Sequence, residues 1–169
     1  MSSFTPADEQ QESLAAEYLA YLAAHPDATS RTCVPAHVTA SALVLDDVRG
    51  RVVLTLHPKI GRWLQLGGHC ETQDGLLAAT AQREATEECG LTGLQVVEPP
   101  IRLDRHEVRC RPDGSMGVHL DVQYMVRTSA DRPLVPSEES PAVRWWPLDA
   151  LPADTDDSVR ALVRAAVQS

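Results

Sequence analysis

Glu84, Glu87 and Glu88 stand at i, i+3 and i+4 within the run Arg83-Glu84-Ala85-Thr86-Glu87-Glu88-Cys89-Gly90-Leu91. On a helix that spacing gathers three carboxylates on one face. Like charges so placed repel by about 0.2–0.5 kcal/mol per close pair. A hard divalent cation such as Mg²⁺ takes oxygen ligands and removes that penalty. A solvated acidic face is the commoner arrangement, and the neighbours argue against it here. Arg83 adjoins the triplet, Gly90 follows it, and the double glycine Gly67-Gly68 lies upstream.

The run from about residue 75 to 89 has helical character. Asp74 precedes it and is predicted to cap its N-terminus. Ala78, Ala81, Ala85 and Cys89 recur at spacings of three and four, a narrow small-residue stripe suited to close packing on a sheet. Gly90 is the predicted C-cap. The glutamates fall on the last turns, at the negative end of the helix dipole, where carboxylates disfavour the helix. Such local conflict is expected at functional sites. Arg83 has two available partners: Glu87 four residues on, and Asp74 across the loop–helix turn.

These residues resemble the signature of the Nudix hydrolases, which reads glycine, five residues, glutamate, seven residues, then Arg-Glu-apolar-x-Glu-Glu-x-Gly-apolar. Arg83, Glu84, Ala85, Glu87, Glu88, Gly90 and Leu91 match its second half position by position. The first half departs from it. Counted forward from Gly68, the glutamate position holds Asp74; counted back from Arg83, it holds Gly75, so the loop is one residue longer. Leu66 occupies the place before the double glycine where proline is frequent.

The resemblance implies a metal-dependent pyrophosphohydrolase, in which water attacks a phosphorus of a nucleotide-type diphosphate with Mg²⁺ or Mn²⁺ bound. Glu84, Glu87 and Glu88 are then the metal ligands, joined by the carbonyl of Gly67, with Arg83 in the same machinery. Glu139 stands six residues before Trp145, where a distal acidic residue joins the site in family members. It is the candidate general base, with Glu138 as its rival. Two other readings exist on the same fold. One is a domain released from catalysis that senses a nucleotide or binds a protein; the longer loop and Asp74 speak for it. The other is an isomerase of isoprenoid diphosphates, suggested only by His69-Cys70.

Further candidates surround the motif. His69 follows the glycines and can reach a phosphate, as can Arg62 and Lys59 just upstream. His119 and Asp121 alternate on one face of a predicted strand and can line a pocket. Trp63 and Trp146 can stack on a base, although single tryptophans more often pack. Cys70 lies in the same loop, where a small packing role is the simpler reading. No tyrosine or proline marks a substrate subgroup. No P-loop, GxSxG or HExxH offers a competing chemistry.

The elements that must position these residues follow from pattern. Residues 7–24 carry an apolar stripe of Leu14, Tyr18 and Leu22 with Ala15 and Leu19, which predicts a helix. Residues 37–45 and 51–56 read as a hairpin across Asp46–Gly50. Residues 101–110 and 117–128 read as a second hairpin across Pro112-Asp113-Gly114, with Pro99-Pro100 expected to break the chain before it. A short strand over 142–146 and an amphipathic helix over 158–167 close the sequence. The order predicts an α+β domain, the α/β/α sandwich of the resemblance, with a mixed sheet between helices and an extra N-terminal helix. The expected division is 1–35 for that helix and its connector and 36–169 for the Nudix domain. The helix is expected either to cap the fold or to form a dimer contact.

Composition sets limits on partners. The chain of 169 residues carries a formal charge of −9. It lacks the basic footprint of a protein that binds nucleic-acid polymers. An acidic protein handling phosphates needs cations to bridge the two. No segment approaches the ~20 apolar residues of a membrane span. The cysteines form no CxxC pair and no signal peptide is evident, so a cytoplasmic monomer or homodimer with reduced thiols is expected.

Overall fold

The computed structural model describes residues 4–109, 114–129, 132–137, 140 and 142–169. Ten elements follow one another: α1 (Glu9–Ala24), β1 (Ala36–Asp46), β2 (Arg51–Leu56), β3 (Trp63–Leu64), β4 (Leu66–His69), α2 (Leu77–Cys89), β5 (Val96–Arg109), β6 (Met116–Arg127), β7 (Val143–Pro147) and α3 (Asp157–Gln168). The strands build one mixed sheet in the order β3-β2-β1-β6-β5, with β4 also on β1 and β7 also on β2. Of the paired strands among the described residues, β1 and β6 run parallel, from Ala36↔Val118 to Leu45↔Arg127, and the other pairs are antiparallel. This is the predicted α+β sandwich.

β1 is buried along its whole length, so its alternation separates the two layers. Val38, Ala40, Ala42 and Val44 share a core with Ala81, Ala85 and Cys89 of α2 and Tyr18 of α1. Small residues on both partners let the α2 backbone approach the sheet closely. On the other face, Leu43 and Leu45 pack with Val159, Leu162, Val163 and Ala166 of α3. The remaining residues on that second face, His37, Thr39 and Ser41, are polar yet also buried.

The N-terminal helix caps the fold. Asp8 accepts from the Gln11 amide at 2.8 Å and starts α1. The Gln11 side chain then pairs with the Leu103 backbone, donating to its carbonyl at 3.0 Å and accepting from its N–H at 2.8 Å. A side-chain amide thus stands in for a peptide on edge strand β5. The buried Tyr18 hydroxyl sits 2.6 Å from the Asp104 carbonyl and 3.2 Å from that of Asp121. Burial among these acceptors pushes its phenol far above the usual range. No described helix is long and apolar enough to cross a membrane.

Two local expectations are corrected. Asp74 does not cap α2; the cap position is Leu76, with no side-chain hydrogen bond. The aspartate is turned instead toward Arg83, which offers a charge-assisted fork. Pro99-Pro100 does not end the chain's extended course. β5 begins at Val96 and passes through both prolines on a bulge between Val97 and Arg102. Bulges at sheet edges accommodate residues that cannot donate to a ladder. Gly90 ends α2 as predicted, at φ 71°, its N–H donating to the Thr86 carbonyl at 2.9 Å. The turn predicted at Pro112-Asp113-Gly114 begins outside the described residues.

Candidate active site

The last turns of α2 lie over β4. Gly67 donates its N–H to one oxygen of Glu88 at 2.9 Å. The Ser140 hydroxyl donates to the other at 2.5 Å. Glu84 lies over Gly68: a Cβ built there would come within 2.6 Å of Glu84 Oε1. The second glycine is therefore required because a carboxylate fills the space of its side chain.

Arg83 ties the cluster together. Its Nε and Nη2 grip Asp74 in a fork at 2.9 and 3.0 Å. Nη2 also donates to the His69 carbonyl at 2.9 Å. Nη1 reaches Glu84 at 3.0 Å and Glu87 at 3.1 Å. Both sequence-level partners of Arg83 are thus engaged at once. Asp74 accepts further from Thr80 Oγ1 and from the Glu71 N–H, each at 2.9 Å. The Arg83 fork, outweighing burial, lowers its carboxyl to about 2. The same partners raise the guanidinium, against the opposing pull of burial, so its charge is permanent. Glu87 is the exposed member, with 59% of its side chain accessible.

These oxygen donors suit a hard divalent ion: the carboxylates of Glu84 and Glu88 lie at the Gly67-Gly68 backbone, and Glu87 is linked to Glu84 through Arg83. Of the other candidates, His69 contributes its carbonyl to this site but turns its ring elsewhere. Arg62 and Lys59 are exposed in the preceding loop. The Arg62 carbonyl accepts from the His57 N–H at 2.9 Å, and no described contact brings its side chain to the glutamates. Glu138 and Glu139 lie outside the described residues. Trp63 and Trp146 meet edge to face at 5.1 Å and belong to the α3 core, so base stacking is not their role. The Cys70 thiol donates to the Val38 carbonyl at 3.6 Å, and burial pushes its pKa up, leaving it a packing group.

The resemblance drawn from the sequence is carried by more than the motif. The NUDIX domain pattern matches residues 35–166. The chain belongs to the NUDIX family. No curated protein is similar to it in sequence. Among solved structures, a NUDIX-family hydrolase from Clostridium perfringens is 23% identical, with a TM-score of 0.63 over 78% of this chain and 97% of that one. The E. coli dihydroneopterin triphosphate pyrophosphohydrolase is 18% identical, with a TM-score of 0.63 over 78% and 96%. The NUDIX domain of Shewanella oneidensis NrtR, solved with ADP ribose, is 21% identical, with a TM-score of 0.60 over 90% and 96%. At these identities the likeness is one of fold.

Sequence reading missed a polar group on the α3 face of this NUDIX sheet. His37 pairs with His119 across β1 and β6, and His69 lies opposite Thr39 on β4. The three rings meet, with His106 of β5 beside His119 at 5.2 Å. Next to them, the fully buried Asp121 accepts from Ser41 at 2.6 Å, Thr39 at 3.0 Å, Gln123 at 3.1 Å and Gln65 at 3.4 Å. Burial raises its carboxyl pKa despite these donors. The Nε2 atoms of His69 and His119 are buried without a hydrogen-bond partner. Each such atom costs about 1–3 kcal/mol. The signal for this group was present: His37, Thr39 and Ser41 are polar at every second place in a strand whose other places are apolar.

Proposed function

We propose that the chain is a divalent-metal-dependent pyrophosphohydrolase acting on a nucleotide or related nucleoside diphosphate derivative. Membership of the NUDIX family supports a hydrolase of pyrophosphate bonds. The observation that carries the reading is the fixing of Glu84 and Glu88 over Gly67-Gly68 by hydrogen bonds from Arg83, the Gly67 N–H and the Ser140 hydroxyl. A bound Mg²⁺ or Mn²⁺ would be held by Glu84, Glu87, Glu88 and the Gly67 carbonyl, and would withdraw charge from phosphate oxygens and acidify water.

The chain's own part is positioning. Gly67 and Ser140 orient the Glu88 carboxylate, and Arg83 orients that of Glu84. Arg83 is itself aimed by Asp74 and the His69 carbonyl. Glu139 is the proposed base that accepts a proton from water as the oxygen bonds to phosphorus and the bridging P–O bond breaks. Its support is that the next residue, Ser140, lies on Glu88. His69, His119 and Arg62 are not assigned to the substrate on this geometry. A cytoplasmic setting agrees with Cys33, Cys70 and Cys89 being free thiols.

The nucleotide-sensing alternative drew on the longer loop and Asp74. Against it, Asp74 holds Arg83 in a complete fork, so neither feature loosens the site. A screen of nucleoside triphosphates, nucleotide sugars, ADP-ribose, dinucleoside polyphosphates and isopentenyl diphosphate with Mg²⁺ or Mn²⁺ tests the reading. Phosphate or pyrophosphate release that disappears in Glu88→Gln is expected. Binding without turnover would leave the sensing module, and conversion of isopentenyl diphosphate without phosphate release would leave the isomerase.

A further inference from the structure

The geometry points to a second metal site, separate from the glutamates, in which His37, His69 and His119 bind a divalent transition-metal ion of the zinc type. Each ring offers one nitrogen, and these atoms lie within 4.8 Å of one another. The ring centres are 5.1 Å apart for His37–His69, 4.8 Å for His37–His119 and 5.1 Å for His69–His119. Three imidazoles arranged tetrahedrally about one ion, with metal–nitrogen bonds of about 2.0–2.1 Å, would place their centres about 5.2 Å apart. The rings already stand at the spacing of a three-histidine site.

Chemistry agrees with spacing. Imidazole favours zinc, cobalt, nickel and copper over Mg²⁺, which prefers the oxygens on α2. Only the neutral ring binds a metal. The three rings lie against one another on the sheet face, with the Nε2 atoms of His69 and His119 buried. The nearby Arg31 charge opposes an incoming cation; Asp121 and Asp104 lie on the same face of the sheet. A ligand would also satisfy the buried Nε2 atoms of His69 and His119.

The three ligands come from three strands, β1, β4 and β6. An ion there would clasp β4 to the centre of the sheet. It would also fix His69, whose carbonyl aims Arg83.

The test is titration of chelator-treated full-length protein with Co²⁺, followed by its visible absorption. One equivalent with the intense bands of a tetrahedral site is expected, undisturbed by excess Mg²⁺. A Glu84→Gln/Glu87→Gln/Glu88→Gln variant should keep these bands. Because losing a mere outer-shell partner weakens metal sites 10–100-fold, His119→Ala should weaken Co²⁺ binding by more than about 100-fold. Unchanged binding in His119→Ala, or binding lost in the glutamate variant, overturns the site. Should His119→Ala fail to fold, imidazole NMR of the wild-type protein decides. Zn²⁺ must then shift the signals of His37, His69 and His119, and shifts confined to His25, His57 and His106 reject it.

Discussion

The two faces of the sheet treat their polar groups in opposite ways. On the α2 face, Arg83 makes five hydrogen bonds, to Asp74 twice and to Glu84, Glu87 and the His69 carbonyl once each. On the α3 face, two buried imidazole nitrogens have no partner. The first region is finished by the chain itself, and whatever binds there adds to a fixed frame. In the second, the Nε2 atoms of His69 and His119 are buried without a hydrogen-bond partner among the described residues. His69 belongs to both, by its carbonyl to the first and by its ring to the second.

The contrast can be broken most sharply at Glu88. Replacing it with glutamine removes a charge; the amide oxygen keeps the Gly67 N–H, and the amide NH2 faces the Ser140 hydroxyl, which must turn to accept. Turnover should fall on the order of 10²–10⁴-fold with little change in melting temperature. Activity within a few-fold of wild type would remove the α2 face from catalysis.

Arg83→Lys comes next. Lysine cannot form the planar fork to Asp74. Losing charge-assisted bonds of that kind should cost about 1.5–3 kcal/mol in denaturant unfolding. Equal stability would show that the frame is held elsewhere.

Gly68→Ala separates activity from stability. The added methyl meets the far end of the flexible Glu84 side chain, not backbone. The protein should unfold within about 0.5 kcal/mol of wild type, a surface-like effect, while kcat falls severalfold because Glu84 is displaced.

His119→Leu probes the other face. Removing an unsatisfied buried nitrogen should leave metal-free stability within about 1 kcal/mol of wild type. It should also abolish any Zn²⁺-induced rise in melting temperature. Strong destabilisation without metal would mean that the ring is already satisfied.

The last expectation concerns pH. Asp74 has its carboxyl lowered to about 2 in the fold, against about 3.9 when unfolded. Below about pH 4 the unfolded chain takes up the proton first, so stability falls as pH drops from about 4 toward 2. It is unaffected by this group above that window. Asp74→Asn should flatten the slope there.

Much of this was legible in the sequence, for reasons that differ by element. The α2 stripe of Ala81, Ala85 and Cys89, and the cap at Gly90, are local signals and were read correctly. The same holds for α1, α3 and the strands around Asp46–Gly50. Asp74 was read half correctly: its pairing with Arg83, nine residues on, was foreseen, while its expected capping of the helix gave way to that stronger partner. Trp63 and Trp146 are brought together by packing beneath α3, which no local pattern reports. The histidine group escaped because its members lie 32 and 50 residues apart along the chain. Only the parallel register of β1 on β6, and the return of β4, make them neighbours.

The passage of β5 through Pro99-Pro100 has a consequence for how copies of this protein coexist at high concentration. A fourteen-residue strand at the rim of a sheet is a template on which another chain could lengthen the ladder. Two successive residues without N–H, set on a bulge, interrupt that template in its first half. The Gln11 amide occupies the backbone of Leu103 just beyond. The molecule thus guards itself against runaway strand-to-strand growth, and trimming its first helix should expose that hazard before it harms the glutamates.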